Sequence, residues 1–243
     1  MQIITNDKLV RRNRAISRYA SIVGLIVLIG GMVISFTRPT LVIISFAALI
    51  LGFLLSQVGM YFTNRWGREP RPDQFLNQSL KGLDNKYTIY HYTSPVPHLL
   101  VGPAGIWVLL PKHQRGVITY ERGRWRQKGG GFLQSYLRMF AQEGIGRPDL
   151  EIASQIDSLE NYLKKSLPDY DSIPIQAAIV FTSDKADLQI DSNVELPAPT
   201  LSLNKLKELI RKTAKGKPVS MERLQKIQAL LSPEDGETTQ LEA

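Results

Sequence analysis

Lys112 is the residue of this chain whose position most clearly offers chemistry. It follows two apolar runs separated by a Gly-Pro-Ala-Gly turn in the stretch HLLVGPAGIWVLLPKHQRG, residues 98–116. The pattern predicts a buried hairpin whose second strand ends at Lys112. Beside carboxylates that hold Mg²⁺, a lysine in such a place helps to position or activate water for phosphodiester cleavage. No carboxylate is adjacent to Lys112 in this stretch.

A second candidate surface is the cationic stretch ERGRWRQK at residues 121–128. The pattern predicts a strand pair that turns at Arg122-Gly123, with the cations on one face and Trp125 on the other. Contact with a nucleic-acid backbone is one interpretation of this face. The alternatives are a solvated strand face with Trp125 in the core, and contact with anionic lipid. The residues predicted to contact nucleic acid or phosphate are Lys112, Arg115, Arg122, Arg124, Arg126 and Lys128.

Composition excludes or disfavours several other kinds of chemistry. The 243-residue chain has no cysteine, so it offers no disulfide and no thiolate. His98 and His113 flank the predicted hairpin, but a zinc site needs three or four ligands, and packing or hydrogen bonding explains His98 better. No Gly-x-Ser-x-Gly elbow is present, and the glycines are typical of turns. We therefore expect no metal site and no cofactor, with Mg²⁺ needed only if the chain cuts nucleic acid.

The apolar residues are concentrated before residue 65, although the chain as a whole has a net charge of +8. Two uncharged runs occupy residues 19–37 and 39–64, and each reaches the roughly 20 residues needed to cross about 30 Å of hydrocarbon. Because the turn between them is short, they predict an antiparallel transmembrane hairpin over residues 19–64. A cleaved signal peptide is disfavoured because a second span follows at once. The remaining alternative is an apolar hairpin inside a globular core.

The charges beside the two spans predict their orientation. Five cations precede the first span and three follow the second, whereas the turn carries only Arg38. We therefore expect both termini and the soluble domain to be cytoplasmic, at the inner (plasma) membrane of a bacterium. Neither span contains an ionisable residue, which favours an anchor over a transporter. Gly52, Ser56 and Gly59 are predicted to form a small-residue packing face.

After a linker at residues 67–73 the pattern becomes that of an α/β domain. Apolar spacing predicts helices over 72–83 and 150–167, strands over 86–94 and 174–183, and strand pairs over 98–110 and 116–127. The fold class is a membrane-anchored α/β protein, with two transmembrane helices, a mixed-sheet domain and C-terminal helices. The predicted regions are a basic N-terminus (1–18), the hairpin (19–64), the α/β domain (65–200), basic amphipathic helices (201–232) and an acidic disordered tail (233–243).

The stretch HLLVGPAGIWVLLPKHQRG, with Trp125 after it, resembles the hairpin of the nuclease-related domain (NERD) family. In that family an Asp-His pair opens an apolar strand, followed by Gly-Pro-x-Gly, a second strand, Glu-x-Lys and Arg-Gly. The segments DQFLNQSLKGL and RPDLEIASQIDSLENYL are similar to two helices of the family, so the resemblance covers residues 67–185. It implies a restriction-endonuclease-like core and metal-dependent cleavage of nucleic acid. Members of the family are often tethered to membranes.

Carried over position by position, the resemblance places the family's lysine on Lys112. The acid of the opening helix falls on Asp73, and the glutamine of the later helix falls on Glu151. The two central carboxylates fall on Pro97 and Leu110, neither of which can bind a cation. Asp73, Lys112 and Glu151 are the remnant catalytic candidates of a site that has lost its central acids.

Three functions follow from these observations. We expect a nuclease-related domain without catalytic activity that binds nucleic acid or a protein at the membrane. In that case Lys112 is either a phosphate contact or an exposed residue at a strand end. The second function is a metal-dependent nuclease with a rearranged site, in which Asp73, Glu121 or Glu151 lies near Lys112. The third is a membrane scaffold that oligomerises. The expected partners are the lipid bilayer and nucleic acid or an unidentified protein, and the oligomeric state stays open.

Overall fold

The computed structural model describes residues 1–128, 144–167, 174–191, 193–216, 219–231 and 238–242. These residues form two compact units. One unit is a helical hairpin within residues 8–71, and the other is an α/β domain that combines residues 1–7 with the described residues from Pro72 onward. The α/β domain is therefore discontinuous in sequence, because the hairpin is inserted between its first strand and its first helix.

The hairpin consists of two long helices, α1 (Asp7–Thr37) and α2 (Val42–Phe62). A 3₁₀ turn, Pro39–Leu41, joins them, and a π-helical turn, Thr63–Gly67, follows α2. Both helical segments are long and apolar enough to cross a membrane, as the two uncharged runs predict. In the most apolar window of each, only 11% of the residues are buried. That exposure disfavours the alternative of a hairpin inside a globular core.

Small residues mediate the contact between α1 and α2. Gly24 and Gly31 in α1 and Gly52 and Gly59 in α2 are buried, and each pair is separated by seven residues, the period of a left-handed helix pair. A Cβ atom added at Gly24 would lie 2.9 Å from the backbone nitrogen of Ser56, so glycine is what permits this close approach. The predicted packing face is confirmed for Gly52 and Gly59. Ser56 is half-buried and donates a hydrogen bond to the carbonyl of Gly52 at 2.8 Å.

Seven strands form the central sheet of the α/β domain, in the order β10-β1-β2-β3-β4-β7-β9. Their bounds are β1 Gln2–Asn6, β2 Thr88–His91, β3 His98–Gly102, β4 Gly105–Lys112, β7 Ile175–Phe181, β9 Thr200–Ser202 and β10 Thr238–Glu242. Strand β1 runs parallel to β2, β4 to β7 and β7 to β9. The pairs β2–β3, β3–β4 and β1–β10 are antiparallel. This is the mixed sheet that the sequence predicts.

Helices cover both faces of this sheet. On one face pack α3 (Pro72–Leu80) and α5 (Leu206–Gly216), the latter preceded by a 3₁₀ turn at Leu203–Lys205. On the other face pack α4 (Pro148–Ser166) and α6 (Met221–Leu231). Side chains alternate along β4, so that Val108 and Leu110 face α4 and α6 whereas Trp107 and Leu109 face α3 and α5. Strand β4 is buried up to Leu110, and only its end approaches a surface.

A second, smaller sheet has the order β6-β5-β8. Its strands are β5 (Gly116–Glu121), β6 (Arg124–Lys128) and β8 (Ala186–Leu188). Strand β5 pairs antiparallel with β6 and parallel with β8. Only residues 113–115 separate β4 from β5, so the central hairpin leads directly into the cationic strand pair that the sequence predicts.

Strand β1 has no counterpart in the sequence prediction, which treats residues 1–18 only as a basic N-terminus. Ile3 and Ile4 point into the two opposite cores and are 7% and 5% exposed. In the tail, whose composition predicts disorder, Thr238–Glu242 form β10 and pair with β1. Main-chain groups make these ladder hydrogen bonds, so strand pairing of the tail does not require an apolar sequence.

Candidate functional site

Lys112 is the last residue of β4, and β7 fixes its main chain. Lys112 and Phe181 form the final pair in the parallel register of these strands. The Lys112 carbonyl accepts a hydrogen bond from the backbone nitrogen of Thr182 at 2.8 Å. Because side chains alternate along a strand, Lys112 lies on the same face as Val108 and Leu110, which α4 covers. The lysine side chain is therefore on the side of the sheet from which α4 can contact it.

Helix α4 presents Glu151 to this lysine. Pro148 begins the helix, where its missing N–H group would have no intrahelical acceptor. Asp149 and Glu151 follow in the first turn, where the partial positive charge of the helix start stabilises carboxylates. Arg147 Nη2 donates a hydrogen bond to Asp149 Oδ2 at 2.6 Å, and this bond lowers the pKa of Asp149. Asp149 is thus engaged by Arg147, and Glu151 is the carboxylate that pairs with Lys112.

Lys112 and Glu151 form a partly buried ion pair. Lys112 Nζ donates a hydrogen bond to Glu151 Oε2 over 2.6 Å. The lysine side chain is 12% exposed and the glutamate side chain is 36% exposed, so the carboxylate keeps contact with solvent while the ammonium is mostly enclosed. An unpaired charge in such an enclosure is destabilising. Glu151 therefore compensates the positive charge of Lys112 at the end of β4.

Gln155 lies one helical turn beyond Glu151 and on the same face of α4. Its Oε1 atom is buried and has no hydrogen-bond partner within the described part of the chain. The sequence prediction does not include Gln155, although its i, i+4 spacing from Glu151 is a signal that would have found it. The end of β4 and the first turns of α4 thus bring together an ammonium and a carboxylate, with an amide one turn away.

Pro97 and Leu110, where the resemblance expects the central carboxylates, provide no oxygen side-chain ligand. Leu110 is 4% exposed and packs in the apolar core. Pro97 immediately precedes β3, and its carbonyl accepts a backbone hydrogen bond from Tyr92 at 2.9 Å. Among the residues that the structure describes, no group of three or more His, Asp and Glu side chains could hold a metal ion. Within the described residues, the carboxylate that contacts Lys112 is that of Glu151, whereas Mg²⁺ usually takes several oxygen ligands.

Asp73 does not join Lys112 and Glu151. It lies in the first turn of α3, is 2% exposed, and acts electrostatically on His98. His98 shares its face of β3 with Leu100, which packs in the core beneath α3 and α5. Lys112 belongs to the opposite face. The structure therefore brings two of the three remnant candidates together and places Asp73 across the sheet from them.

Asp73 instead neighbours a polar cluster that we define as the half-buried Asn77 and the buried His91 and His98. His91 Nε2 lies 2.9 Å from Asn77 Oδ1, and the Nδ1 atoms of the two histidines are also 2.9 Å apart. Since an amide oxygen accepts, His91 donates from Nε2 to Asn77 Oδ1, and one histidine donates to the other between the two Nδ1 atoms. Burial lowers the pKa of His98 to about 4, and Asp73 opposes this shift. His98 is thus a neutral hydrogen-bonding residue of the core, as the sequence interpretation expects.

The cationic strand β6 presents its charged side chains on one face. Arg124, Arg126 and Lys128 are exposed, whereas Trp125 between them is buried. The Trp125 ring packs against the ring of Tyr120, with centroids 4.9 Å apart. The alternation that the sequence predicts for this stretch is therefore present, and an accessible row of cations results.

Glu121 belongs to this surface and not to the surroundings of Lys112. Lys128 Nζ lies 3.0 Å from Glu121 Oε1, and this hydrogen bond lowers the pKa of Glu121. Arg122 is exposed in the β5–β6 turn, and Arg115 is exposed just before β5. The predicted contact residues thus divide into Lys112, which is ion-paired, and five residues on or beside the smaller sheet.

Comparison with known proteins bears on the part of the chain that contains these residues. The family model described as nuclease-related domain matches residues 69–182. The matched range includes α3, the β3–β4 hairpin with Lys112, α4 with Glu151, and β7. No curated protein and no solved structure matches the chain. The family resemblance of the hairpin is thereby confirmed.

Proposed function

The chain carries a nuclease-related domain at residues 69–182, and on this premise we propose that it is a membrane-anchored module that binds nucleic acid without cleaving it. The ion pair between Lys112 and Glu151 is the observation that carries this proposal. The lysine that the family pattern associates with phosphate chemistry is neutralised by a carboxylate of its own chain. Pro97 and Leu110 offer no ligands for a catalytic cation beside it.

The proposed binding surface is the exposed face of β6. Arg124 and Arg126 lie two residues apart on this strand, which separates their Cα atoms by about 6.8 Å. Lys128 is partly neutralised by Glu121, so the two arginines are the principal cations of the face. Arginine binds phosphate oxygens through paired N–H groups. Such contacts would hold a nucleic-acid backbone with little dependence on base sequence.

In this proposal the hairpin spans the membrane and the domain lies on the cytoplasmic side. The eight cations that flank the spans, against Arg38 in the turn, favour that orientation. Strand β1 precedes the hairpin and the rest of the sheet follows it. Both ends of the hairpin must therefore emerge on the side where the domain folds, which two crossings allow. Nucleic acid would then be bound at the cytoplasmic membrane surface.

Salt-dependent binding by the full-length chain in detergent micelles tests the proposal. We expect fluorescence anisotropy to detect binding of labelled DNA or RNA at about 50 mM salt, with a steep loss toward about 200 mM. Arg124→Gln/Arg126→Gln should weaken binding roughly tenfold and reduce the salt slope by about two. Lys205→Gln/Lys212→Gln removes the same charge from exposed positions at α5 and is the matched control. Absent binding at low salt, or an equal loss in both variants, would refute the proposed surface.

A metal-dependent nuclease with a rearranged site is the second candidate. The observation that favours it is the contact of Glu151 with Lys112, which puts one carboxylate beside the family's lysine. The discriminating assay incubates the full-length chain with several nucleic acids and Mg²⁺ or Mn²⁺. Cleavage that disappears in Lys112→Met and Glu151→Gln but persists in Arg124→Gln/Arg126→Gln would establish this alternative. No cleavage of any substrate with either metal ion would exclude this alternative.

A further inference from the structure

A dense group of cations lies at the end of the hairpin where α1 begins and α2 ends. We call it the arginine collar, and its members are Arg11, Arg12, Arg14, Arg18, Arg65, Arg68 and Arg71. Within residues 8–18 and 65–71 there is one further cation, Lys8, and one carboxylate, Glu69. Arg14 Nη1 pairs with Glu69 Oε1 at 2.9 Å. Asp7, in the first turn of α1, is a second carboxylate, and the formal charge of residues 7–18 and 65–71 is +6, from eight cations and two carboxylates.

The contact between Ser17 and Thr63 aligns the two helices at this end. Their hydroxyl oxygens are 2.7 Å apart, so the turn of α1 that contains Arg18 lies beside the π-helical turn that contains Arg65. The pair between Arg14 and Glu69 continues the same alignment further along α1. The collar therefore combines arginines from both helical segments of the hairpin, which are distant in sequence.

Helix lengths place the collar outside the hydrocarbon core. Helix α2 has 21 residues and α1 has 31, or about 31 Å and 46 Å at 1.5 Å per residue. The hydrocarbon core is about 30 Å thick, so α2 matches it and α1 exceeds it by several turns. The uncharged part of α1 begins after Arg18. The excess is thus the first turns of α1, which carry the arginines.

Aromatic side chains mark the level of the membrane interface beside the collar. Phe62 lies 5.5 Å from Tyr61 and 5.2 Å from Trp66, measured between ring centroids. The guanidinium carbon of Arg65 lies 3.9 Å from the centroid of the Tyr61 ring. Tyrosine and tryptophan are enriched at the depth of lipid headgroups. The collar therefore lies where phospholipid phosphates are found.

Several collar arginines are exposed. Arg11, Arg14 and Arg18 are spaced by three and four residues, so they share one face of α1, and all three are exposed. Arg68 is exposed as well. A guanidinium group donates paired hydrogen bonds that match phosphate oxygens. The face of α1 and the segment after α2 thus present several phosphate-binding groups at one level.

We propose that the arginine collar binds the headgroup phosphates of anionic phospholipids. This inference rests on the membrane anchoring in the proposed function and adds a lipid preference to it. An excess of positive charge favours phosphatidylglycerol over phosphatidylcholine, because the latter balances its phosphate with an ammonium group. Nucleic acid is the other polyanion that such charges attract. The depth of the collar, beside interfacial aromatic rings, favours lipid as its occupant.

Native mass spectrometry of the full-length chain tests which lipid it retains. From micelles that contain equal amounts of phosphatidylglycerol and phosphatidylcholine, we expect roughly tenfold enrichment of phosphatidylglycerol on the wild-type chain. The variant Arg11→Gln/Arg18→Gln/Arg68→Gln should lose most of this enrichment. Lys205→Gln/Lys212→Gln/Lys215→Gln removes three exposed cations from the α/β domain and should retain it. The wild-type enrichment should also fall at about 0.5 M salt.

Each possible failure has a separate meaning. Equal retention of the two lipids by the wild-type chain, or an equal loss in both variants, overturns the inference. A collar variant that keeps its phosphatidylglycerol but loses binding to labelled DNA overturns it in favour of nucleic acid. Vesicle flotation separates the inference from the anchor on which it rests. If the chain floats equally well with phosphatidylcholine and phosphatidylglycerol vesicles, lipid binding by the collar is refuted but the membrane anchor is not. If the chain floats with vesicles of neither lipid, both the membrane anchor and lipid binding by the collar are refuted.

Discussion

A partly enclosed Lys–Glu pair differs energetically from one on a helix surface, and helix α4 contains members of both kinds. Glu151 reaches across to Lys112 on β4 at 2.6 Å, whereas Glu160 pairs with Lys164 at 2.7 Å one turn away on the same helix. The distances are nearly equal, but the lysine side chains are 12% and 57% exposed. Solvent weakens the second pair much more than the first. We therefore expect Glu151, and not Glu160, to contribute to the packing of α4 on the sheet.

Double-mutant cycles on these two pairs measure that difference. Lys112→Met and Glu151→Gln, singly and together, should give a coupling free energy of about 1–2 kcal/mol in urea unfolding of the detergent-solubilised chain. The cycle of Lys164→Met and Glu160→Gln should give about 0.3–0.5 kcal/mol. Tryptophan fluorescence reports the unfolding of the domain. A coupling free energy for Lys112 and Glu151 no larger than that for Lys164 and Glu160 would contradict the structural role assigned to Glu151.

The buried position of His98 makes the stability of the domain depend on pH. The groups that face it are His91, the ring of Tyr92 and the carboxylate of Asp73. Its pKa falls from 6.5 to about 4 on folding, so below about pH 6.5 the unfolded chain binds a proton that the folded chain does not. The free energy of unfolding should therefore be unaffected by His98 above that pH. It should decrease by up to about 3 kcal/mol as the pH falls toward 4.

A comparison of pH profiles isolates this contribution from that of the carboxylates. His98→Asn keeps a donor near the position of Nδ1 and cannot be protonated, so its unfolding midpoint should fall less steeply between about pH 6.5 and 4 than that of the wild type. His113→Gln, at the end of β4, removes a histidine that is half-buried and serves as the control. Parallel profiles for wild type and His98→Asn would show that His98 does not cause the loss of stability between about pH 6.5 and 4.

The two helices of the hairpin approach each other as closely as their glycines allow. Gly24→Leu places side-chain atoms against the backbone of Ser56, whereas Gly30 has open space, with no atom within 4 Å of an added Cβ. Because the chain has no cysteine, Ser17→Cys/Thr63→Cys provides a specific crosslink between the helices. We expect Gly24→Leu to slow crosslinking roughly tenfold, since overpacking costs about 1–3 kcal/mol. Gly30→Leu should leave the rate unchanged, and equal rates in both would exclude glycine packing as the cause.

Helix α5 shows how a basic face can serve the fold. Lys212 and Lys215 of this helix are exposed. Two cations of this helix, however, donate to main-chain carbonyls just after α3: Lys207 Nζ to Lys81 at 3.0 Å and Arg211 Nη2 to Gly82 at 2.9 Å. Cations at a helix C-terminus complement its partial negative charge. Two of the cations of α5 thus complement the C-terminal end of α3.

Elements with strong local patterns could be predicted, and contacts between distant elements could not. The lengths of the apolar runs predict α1 and α2, and the glycine turn predicts the β3–β4 hairpin and the position of Lys112 at its end. The short strands β1, β8, β9 and β10 lack such patterns, because their pairing is supplied by main-chain groups of neighbouring strands. Likewise, Asp73 and Glu151 are both helical acids in the sequence. Only the placement of α3 and α4 on opposite sheet faces shows which of them reaches Lys112.

The position of the hairpin within the domain has consequences for membrane topology. The sheet uses β1 from before α1 and six strands from after α2, so the proposed membrane hairpin requires an even number of crossings between them. Single cysteines test this in the cysteine-free chain. In right-side-out membrane vesicles, an impermeant maleimide should label Arg38→Cys directly and Lys215→Cys only after permeabilisation. Labelling of both from the outside would contradict the two crossings or the proposed sidedness.

The same insertion predicts that the α/β domain is incomplete without the residues that precede the hairpin. A chain from Pro72 onward lacks β1, which leaves the edge of β2 unpaired and removes Ile3 and Ile4 from the two cores. Each buried isoleucine contributes about 1.5–3 kcal/mol. Joining residues 1–7 to Pro72 through a flexible glycine–serine linker of about 20 residues should restore the strand. We expect this fusion to melt roughly 10 °C above the chain without β1, as followed by circular dichroism.

A variant of the fusion tests whether the strand or merely the added length is responsible. Ile3→Asp/Ile4→Asp keeps the length but would bury a carboxylate in each core, so its melting temperature should fall to that of the chain without β1 or below. Gln2→Asp, at an exposed position of the same strand, should change the melting temperature little. If the chain from Pro72 onward were as stable as the fusion, β1 would be an accessory strand. If only the fusion is stable, the residues on both sides of the hairpin form one folding unit, and the hairpin cannot be removed without replacing the connection that it makes.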